Sequence, residues 1–260
     1  MESAVPHCQF LNALFPNVLR FLVPALLLLI FLAPIAQAGD TARIQLLGFS
    51  KDGSRFAFEQ YGVQDGSGFP YSEIFILDVA KDSWVKPSPF RRQDEVDDSQ
   101  GYDEEALLAA ARAENRAVAQ PHLRTSGIAG KGLTVGHNPH SELNSNPHRM
   151  VVNPLDMMPP ADDPLELQLS EYPMSSGDCA SYGAETKGFK LTLTYHGKTR
   201  VLNNDTKVPS SRNCPLRYRI ERIVTHFPNE APPVFAVLIQ MESHGFEGPD
   251  RRYLAITGQL

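Results

Sequence analysis

Between Arg43 and Val79 apolar and polar side chains alternate with the period of strands. IQLLGF, RFAFEQYGV and SEIFILDV are the three runs, and Ser50-Lys51-Asp52-Gly53-Ser54 separates the first two. Asp52 can bond its own backbone and Gly53 tolerates positive φ, so this spacer reads as a tight hairpin turn. In the third run Ile74, Ile76 and Asp78 share one face while Phe75, Leu77 and Val79 share the other, so both faces are expected to be covered. The pattern then changes. DEEALLAAARAENRAVAQ, from Asp103 to Gln120, is built of strong helix formers, with acids in its first turn and Arg112 and Arg116 farther on. Pro121 is expected to stop it, and the small stripe Leu107, Ala110, Ala111, Ala117 and Val118 to pack closely on a sheet.

The passage from 121 to 164 is dominated by Gly, Pro, Asn and His and reads as an irregular surface wrap. LELQLSEYP, GFKLTLTYHG and TRVLNND follow as strands, and then Tyr218 to Thr257 returns to the scheme of strand, turn, strand, Gly-Pro elbow, strand. The expected fold is mainly β (α+β), with antiparallel sheets from about eight strands and one helix near 103–120. The stretches 43–79 and 218–257 are candidates for a duplicated three-stranded unit. Their elbows, Gly68-Phe69-Pro70 and Glu247-Gly248-Pro249, each precede the last strand.

Residues 1–38 add a leader rather than structure. Arg20 precedes FLVPALLLLIFLAP, and Ala36-Gln37-Ala38 supplies small residues where a signal peptidase cuts, between Ala38 and Gly39. A membrane span needs about 18 or more uninterrupted apolar residues. This run is shorter and contains Pro24 and Pro34, so no span is expected after cleavage. The stretch before Arg20 is long for a leader, and translation starting near Val18 or Leu19 would shorten it. One exported domain, 39–260, remains, in the periplasm if the source is a Gram-negative bacterium. Losing Cys8 leaves Cys179 and Cys214, which in an oxidising compartment read as a disulfide. The net charge of −6 lacks the concentrated basic footprint that nucleic acid requires.

Candidate chemistry gathers at the two elbows. Phosphate-binding glycines present amides at a helix start, whereas Gly66-Ser67-Gly68 leads into a strand, so the glycines read as chain-bending. If the elbows share one edge, Asp65, Gly66, Gly68, Tyr71, Gly248, Asp250, Arg251 and Arg252 make a polar recognition surface. His137 and His140 are the residues a metal would draw on, but Pro139 denies them a common helix and no H-E-x-x-H pattern accompanies them. Neither a metal nor a cofactor is expected. No G-x-S-x-G elbow is present, and paired cysteines offer no thiolate. Paired carboxylates, by contrast, leave no short trace in a sequence.

FSKDGSRFAF followed by EIFILDV resembles one blade of a bacterial β-propeller, though no further copy of F-S-x-D-G occurs. Taken with the leader, the Ala/Arg/Glu helix, NCPLRYRIERIVTH and FEGPDRRYLAIT, the chain resembles a family of predicted secreted bacterial proteins classed as a domain of unknown function. That resemblance implies export and a shared architecture, and carries no reaction or catalytic residues. The leading functional reading is a non-enzymatic periplasmic module that binds a protein partner or envelope ligand through the polar bends. The alternative is an envelope hydrolase acting on glycans or esters through acidic residues. A third is a half-propeller unit that completes its sheet by self-association. N-terminal sequencing of the exported chain is expected to begin at Gly39; a sequence beginning inside the apolar run would reject the assigned cleavage site.

Overall fold

The structure is a computed structural model that describes residues 39–260 except 98, 100, 182, 184 and 247, and gives no side-chain placement for residue 178. The leader and its Ala38 junction lie outside the described residues. Among the described residues fourteen strands, more than the eight or so expected, form three antiparallel sheets. The first sheet contains β1 (Arg43–Ser50), β2 (Arg55–Val63) and β3 (Pro70–Asp78), in the antiparallel pairings their alternation demands. Beside β3 lie β4 (Ser83–Trp84) and β5 (Phe90–Gln93), and beside β1 lies β6 (Ile128–Lys131). The turn between β1 and β2 forms as expected, with Asp52 Oδ1 accepting from Ser50 Oγ at 2.5 Å and from the Ser54 amide at 3.1 Å.

A second sheet is ordered β14 (Asp250–Gln259), β13 (Val234–Ser243), β12 (Pro215–His226) and β7 (Leu133–His137). The third is ordered β11 (Lys198–Asn204), β10 (Lys187–Tyr195), β9 (Leu165–Pro173) and β8 (Arg149–Val152). The second sheet lies between the other two. On β13, Phe235, Val237, Ile239 and Met241 pack against Leu167, Leu191 and their neighbours of the third sheet. Val234, Ala236 and Leu238 point the other way, toward Phe56, Phe58 and Phe75 of the first sheet. Both expected three-stranded units are therefore antiparallel meanders, and they face each other across a shared core. Sheets stacked face to face are not a radial array of blades, and the resemblance of 43–79 to a propeller blade is not confirmed.

Two differences from the sequence reading have clear causes. The helix α1 spans Glu104–Thr125, with Asp103 as its cap, its side chain accepting from the Ala106 amide. It continues through Pro121 because Leu123 is buried against the first sheet, and that contact holds the last turn. Its buried face is Leu108, Ala111, Asn115, Ala119 and Leu123; of the expected stripe only Ala111 is fully buried, and Val118 is 61 % exposed. A polar anchor explains the rotation. Fully buried Glu59 on β2 accepts from Arg112 Nε at 2.9 Å and Arg116 Nη2 at 2.7 Å, while Asn115 bonds the backbone and hydroxyl of Ser72.

The passage read as an irregular wrap also contributes β6, β7 and β8. Gly132, at φ +114°, carries the chain from β6 in the first sheet to β7 in the second, where a Cβ would stand 2.9 Å from both Phe49 and Val224. Cys179, in the one-turn helix α2 (Gly177–Ala180), is bonded to Cys214 just before β12. That closure contributes roughly 3 to 4 kcal/mol in the chain-entropy estimate. Because Glu59 has no route to water, the double change Arg112→Ala/Arg116→Ala is expected to cost about 3–5 kcal/mol in urea unfolding, and Glu59→Gln less. Equal losses for the two variants would show that the buried charge is not what the arginines hold.

Candidate functional site

The two elbows meet. In the β2–β3 elbow the Gln64 amide donates to the Phe69 carbonyl at 2.9 Å and the Gly68 amide to the Gln64 carbonyl at 3.0 Å. Gly66 sits at φ +81°, and a Cβ there would come within 3.3 Å of the Phe246 ring, which belongs to the β13–β14 bend. Between the bends lies an open concavity of about 420 Å³, lined among others by Asp40, Asp65, Gly66, Phe246 and Asp250. The N-terminal segment fixes this meeting. The Arg251 amide donates to the Asp40 carbonyl at 2.7 Å and the Ala42 amide to the Arg251 carbonyl at 3.0 Å, so the chain ahead of β1 runs as a short parallel partner of β14.

Beneath the concavity is a buried charged knot. The Asp40 carboxylate, in a residue only 5 % exposed, accepts from the Tyr71 hydroxyl at 3.0 Å and from Arg252 Nη2 at 2.5 Å. The Asp40 amide donates to Asp250 Oδ1 at 3.2 Å, and the Arg252 guanidinium lies 4.4 Å above the Tyr71 ring. Burial, with the Asp40 charge adding to it, pushes the Tyr71 hydroxyl far above its ordinary value, so it stays a proton donor. Burial works against the Arg252 charge, but Tyr71, Asp40 and Asp250 outweigh it and hold the guanidinium above its usual value. Asp250 is shifted up by burial, opposed in part by Arg252 and reinforced by Asp40 and Asp65.

The expected site residues therefore divide. Asp65, Gly66 and Asp250 line the concavity, whereas Tyr71 and Arg252 belong to the knot. Arg251 turns away to pair with Glu242 at 3.0 Å and to bond Thr41. Gly68 lies against the Tyr102 hydroxyl, and the Gly248 backbone lies beside Gly39 and Gly245. Sequence reasoning missed Asp40 and Phe246. Phe246 left a readable signal, since an aromatic between Gly245 and Gly-Pro has no strand to bury it, and it is 86 % exposed. Asp40 left none.

The histidines are engaged with neighbouring side chains. His137 Nε2 lies 2.8 Å from Glu221 Oε1 and 2.9 Å from Arg222 Nη2, and His140 Nδ1 lies 3.1 Å from Arg219 Nη1. Among the described residues no group of three or more His, Cys, Asp or Glu is arranged to hold a metal. A separate cleft of about 320 Å³ opens between β3–β4 and β14, with Gln60, Glu73, Asp82, Trp84, Arg91 and Tyr253 on its walls. Two of these cap the outer edge of β14: Gln60 accepts from the Tyr253 amide at 2.7 Å and Asp82 from the Thr257 amide at 2.7 Å. Burial raises the Asp82 carboxyl, against the pull of the Thr257 bonds.

A family model described as "Predicted secreted protein (DUF2259)" matches residues 57–259. The match runs from β2 through β14, so it includes both bends but not Asp40. No curated protein and no solved structure matches the chain.

A carboxyl raised on folding binds protons more tightly in the native state, so its contribution to stability falls as pH rises through the shifted range. Asp250→Asn keeps the acceptor for the Asp40 amide and removes that charge. The variant is expected to melt above the parent at neutral pH, with the advantage shrinking as pH falls into the ordinary carboxylate range. A variant melting below the parent at neutral pH would contradict the assigned direction.

Proposed function

Since this chain belongs to the family of predicted secreted proteins whose model it matches over residues 57–259, we propose that it is exported to the periplasm after cleavage before Gly39 and acts there as a binding module rather than an enzyme. The observation that carries this reading is the charge left over where the two bends converge. Arg252 and Arg251 are committed to Asp40 and Glu242, so Asp65 and Asp250 have no ion-pair partner among the described residues. Asp65 Oδ2 also lacks a hydrogen-bond partner among them. With the exposed Phe246 ring at the rim, the concavity suits a cationic group attached to an apolar stem, such as a lysine or arginine side chain of an envelope partner.

One observation favours the hydrolase reading. The cleft beside β14 collects Glu73 and Asp82 near Trp84, and the two acids differ in environment: Glu73 is ion-paired with Arg91 at 2.6 Å, while the Asp82 carboxyl is raised by burial. Asp82 is already engaged by Thr257, which makes edge capping the simpler account.

The exported chain is expected to bind a peptide of alternating lysine and leucine in a salt-sensitive manner and to ignore its glutamate counterpart. Asp65→Asn combined with Phe246→Ala is expected to weaken that binding about tenfold or more while leaving the melting temperature unchanged. Full retention of binding by this variant overturns the site. Turnover of chromogenic glycosides or esters that is lost in Asp82→Asn would move the function to the cleft.

A further inference from the structure

Strand β7 pairs with β12 only over Arg222–Thr225, which leaves the first half of β12 without a neighbour on that edge. The 138–148 loop covers it, the Asn138 amide donating to the Glu221 carbonyl at 2.7 Å and the Ile220 amide to the Pro147 carbonyl at 2.8 Å. Glu171 at the end of β9 accepts from the Tyr218 amide at 2.5 Å. Loop and strands enclose a cavity of about 320 Å³ whose walls include His140, Glu171, Arg217, Arg219, Gln240 and Glu242. It shares no lining residue with the concavity at the bends.

The charges of this cavity are unequally committed. Glu171 is paired with Lys187 at 3.2 Å and Glu242 with Arg251 at 3.0 Å, both cations standing outside the lining. Arg217 is exposed and has no ion pair or hydrogen bond to another side chain among the described residues. Arg219 spends its terminal nitrogens on Asn138 Oδ1, at 3.1 Å, and on His140 Nδ1. A ring nitrogen that accepts from a guanidinium carries no proton, so His140 is the neutral tautomer with its proton on Nε2. The lining holds two arginines and two glutamates, and because both glutamates have cationic partners outside it, Arg217 is the charge left without a partner.

Its hydrogen-bonding is incomplete as well. Gln240 is 2 % exposed and donates through Nε2 to the Tyr253 hydroxyl at 3.0 Å, yet its Oε1 has no partner. Arg219 Nε is likewise buried and unpartnered. Five buried side-chain atoms among the described residues lack partners; Arg219 Nε and Gln240 Oε1 belong to residues that line this cavity, and Glu221 and Arg222 carry two more on β12 outside the lining. Buried polar groups are paired as a rule, so such a concentration marks a place built to complete its bonds with a ligand.

We propose that this cavity is a second binding site, one that takes a small anion of the sugar-acid class, its carboxylate held by Arg217 and Arg219 Nε and a neighbouring hydroxyl donating to Gln240 Oε1. A bare anion would leave the Gln240 oxygen facing like charge, and a neutral sugar would leave Arg217 unmatched. The site needs both groups on one molecule.

Titration calorimetry of the exported chain with glucuronate, glucose and inorganic phosphate tests this. Glucuronate is expected to bind, phosphate more weakly, and glucose not measurably. Arg217→Gln, at an exposed position, is expected to weaken glucuronate at least about tenfold without changing the melting temperature, and Asp65→Asn with Phe246→Ala to have no effect on it. Gln240→Leu is expected to abolish the preference for glucuronate over phosphate, and if it does not fold, the Arg217 variant alone decides the location. Absence of glucuronate binding overturns the proposal. So does equal binding of glucose or phosphate by the parent, or unchanged glucuronate binding by Arg217→Gln.

Discussion

Strand β13 has no solvent face, and that burial sets the order of the layers. Consecutive side chains of a strand point to opposite sides, so Phe235, Val237 and Ile239 must find one partner surface while Val234, Ala236 and Leu238 find another. A side chain of this size gains roughly 1.5–3 kcal/mol from full burial, and β13 collects that gain along nearly its whole length. The first and third sheets are the two surfaces it requires. With β2 and β13 in facing sheets, the hairpin bends that follow them are brought together, and the polar bends converge without any direct sequence link.

Charge is used inside this framework as a fastener. Glu59 fastens the helix to the outer face of the first sheet, and Asp40 fastens the chain before β1 to β14. Each is a buried carboxylate with more than one donor, which is the condition under which a buried ion is tolerable. The polar group of β12 and β13 is different. Its arginines, Glu221 and Gln240 are only partly satisfied, although they lie on the same central sheet. The fold completes its bonds at Glu59 and Asp40 but not at Gln240, and that contrast is what the proposed second site rests on.

The two concavities to which binding is proposed differ in their side chains. Gln240 and Glu242 of β13 line the one that holds Arg217 and Arg219, and the bend after β13 carries Phe246 to the one walled by Asp40, Asp65 and Asp250. The difference comes from where counter-ions are spent. At the bends the arginines are consumed by Asp40 and Glu242, whereas in the cavity the carboxylates are consumed by Lys187 and Arg251. The two linings have no side chain in common, so the two proposed sites do not draw on the same groups.

Alternation and turn chemistry act over a few residues, and what they control was legible in the chain: strands β1 to β3 and β9 to β14, the Asp52 turn, the existence of the helix and the chain-bending glycines of the first elbow, while the Cys179–Cys214 pair was read from the cysteine count. The short strands β4 to β8 were not, because their order comes from hydrogen bonds to neighbouring strands rather than from their own pattern. The buried helix face was misplaced because a hydrophobic pattern cannot see Asn115, Arg112 and Arg116 turned inward toward Ser72 and Glu59. Asp40 shows the limit most plainly. It stands 210 positions from Asp250, and only the packing of the first sheet on the second brings the two within hydrogen-bonding reach.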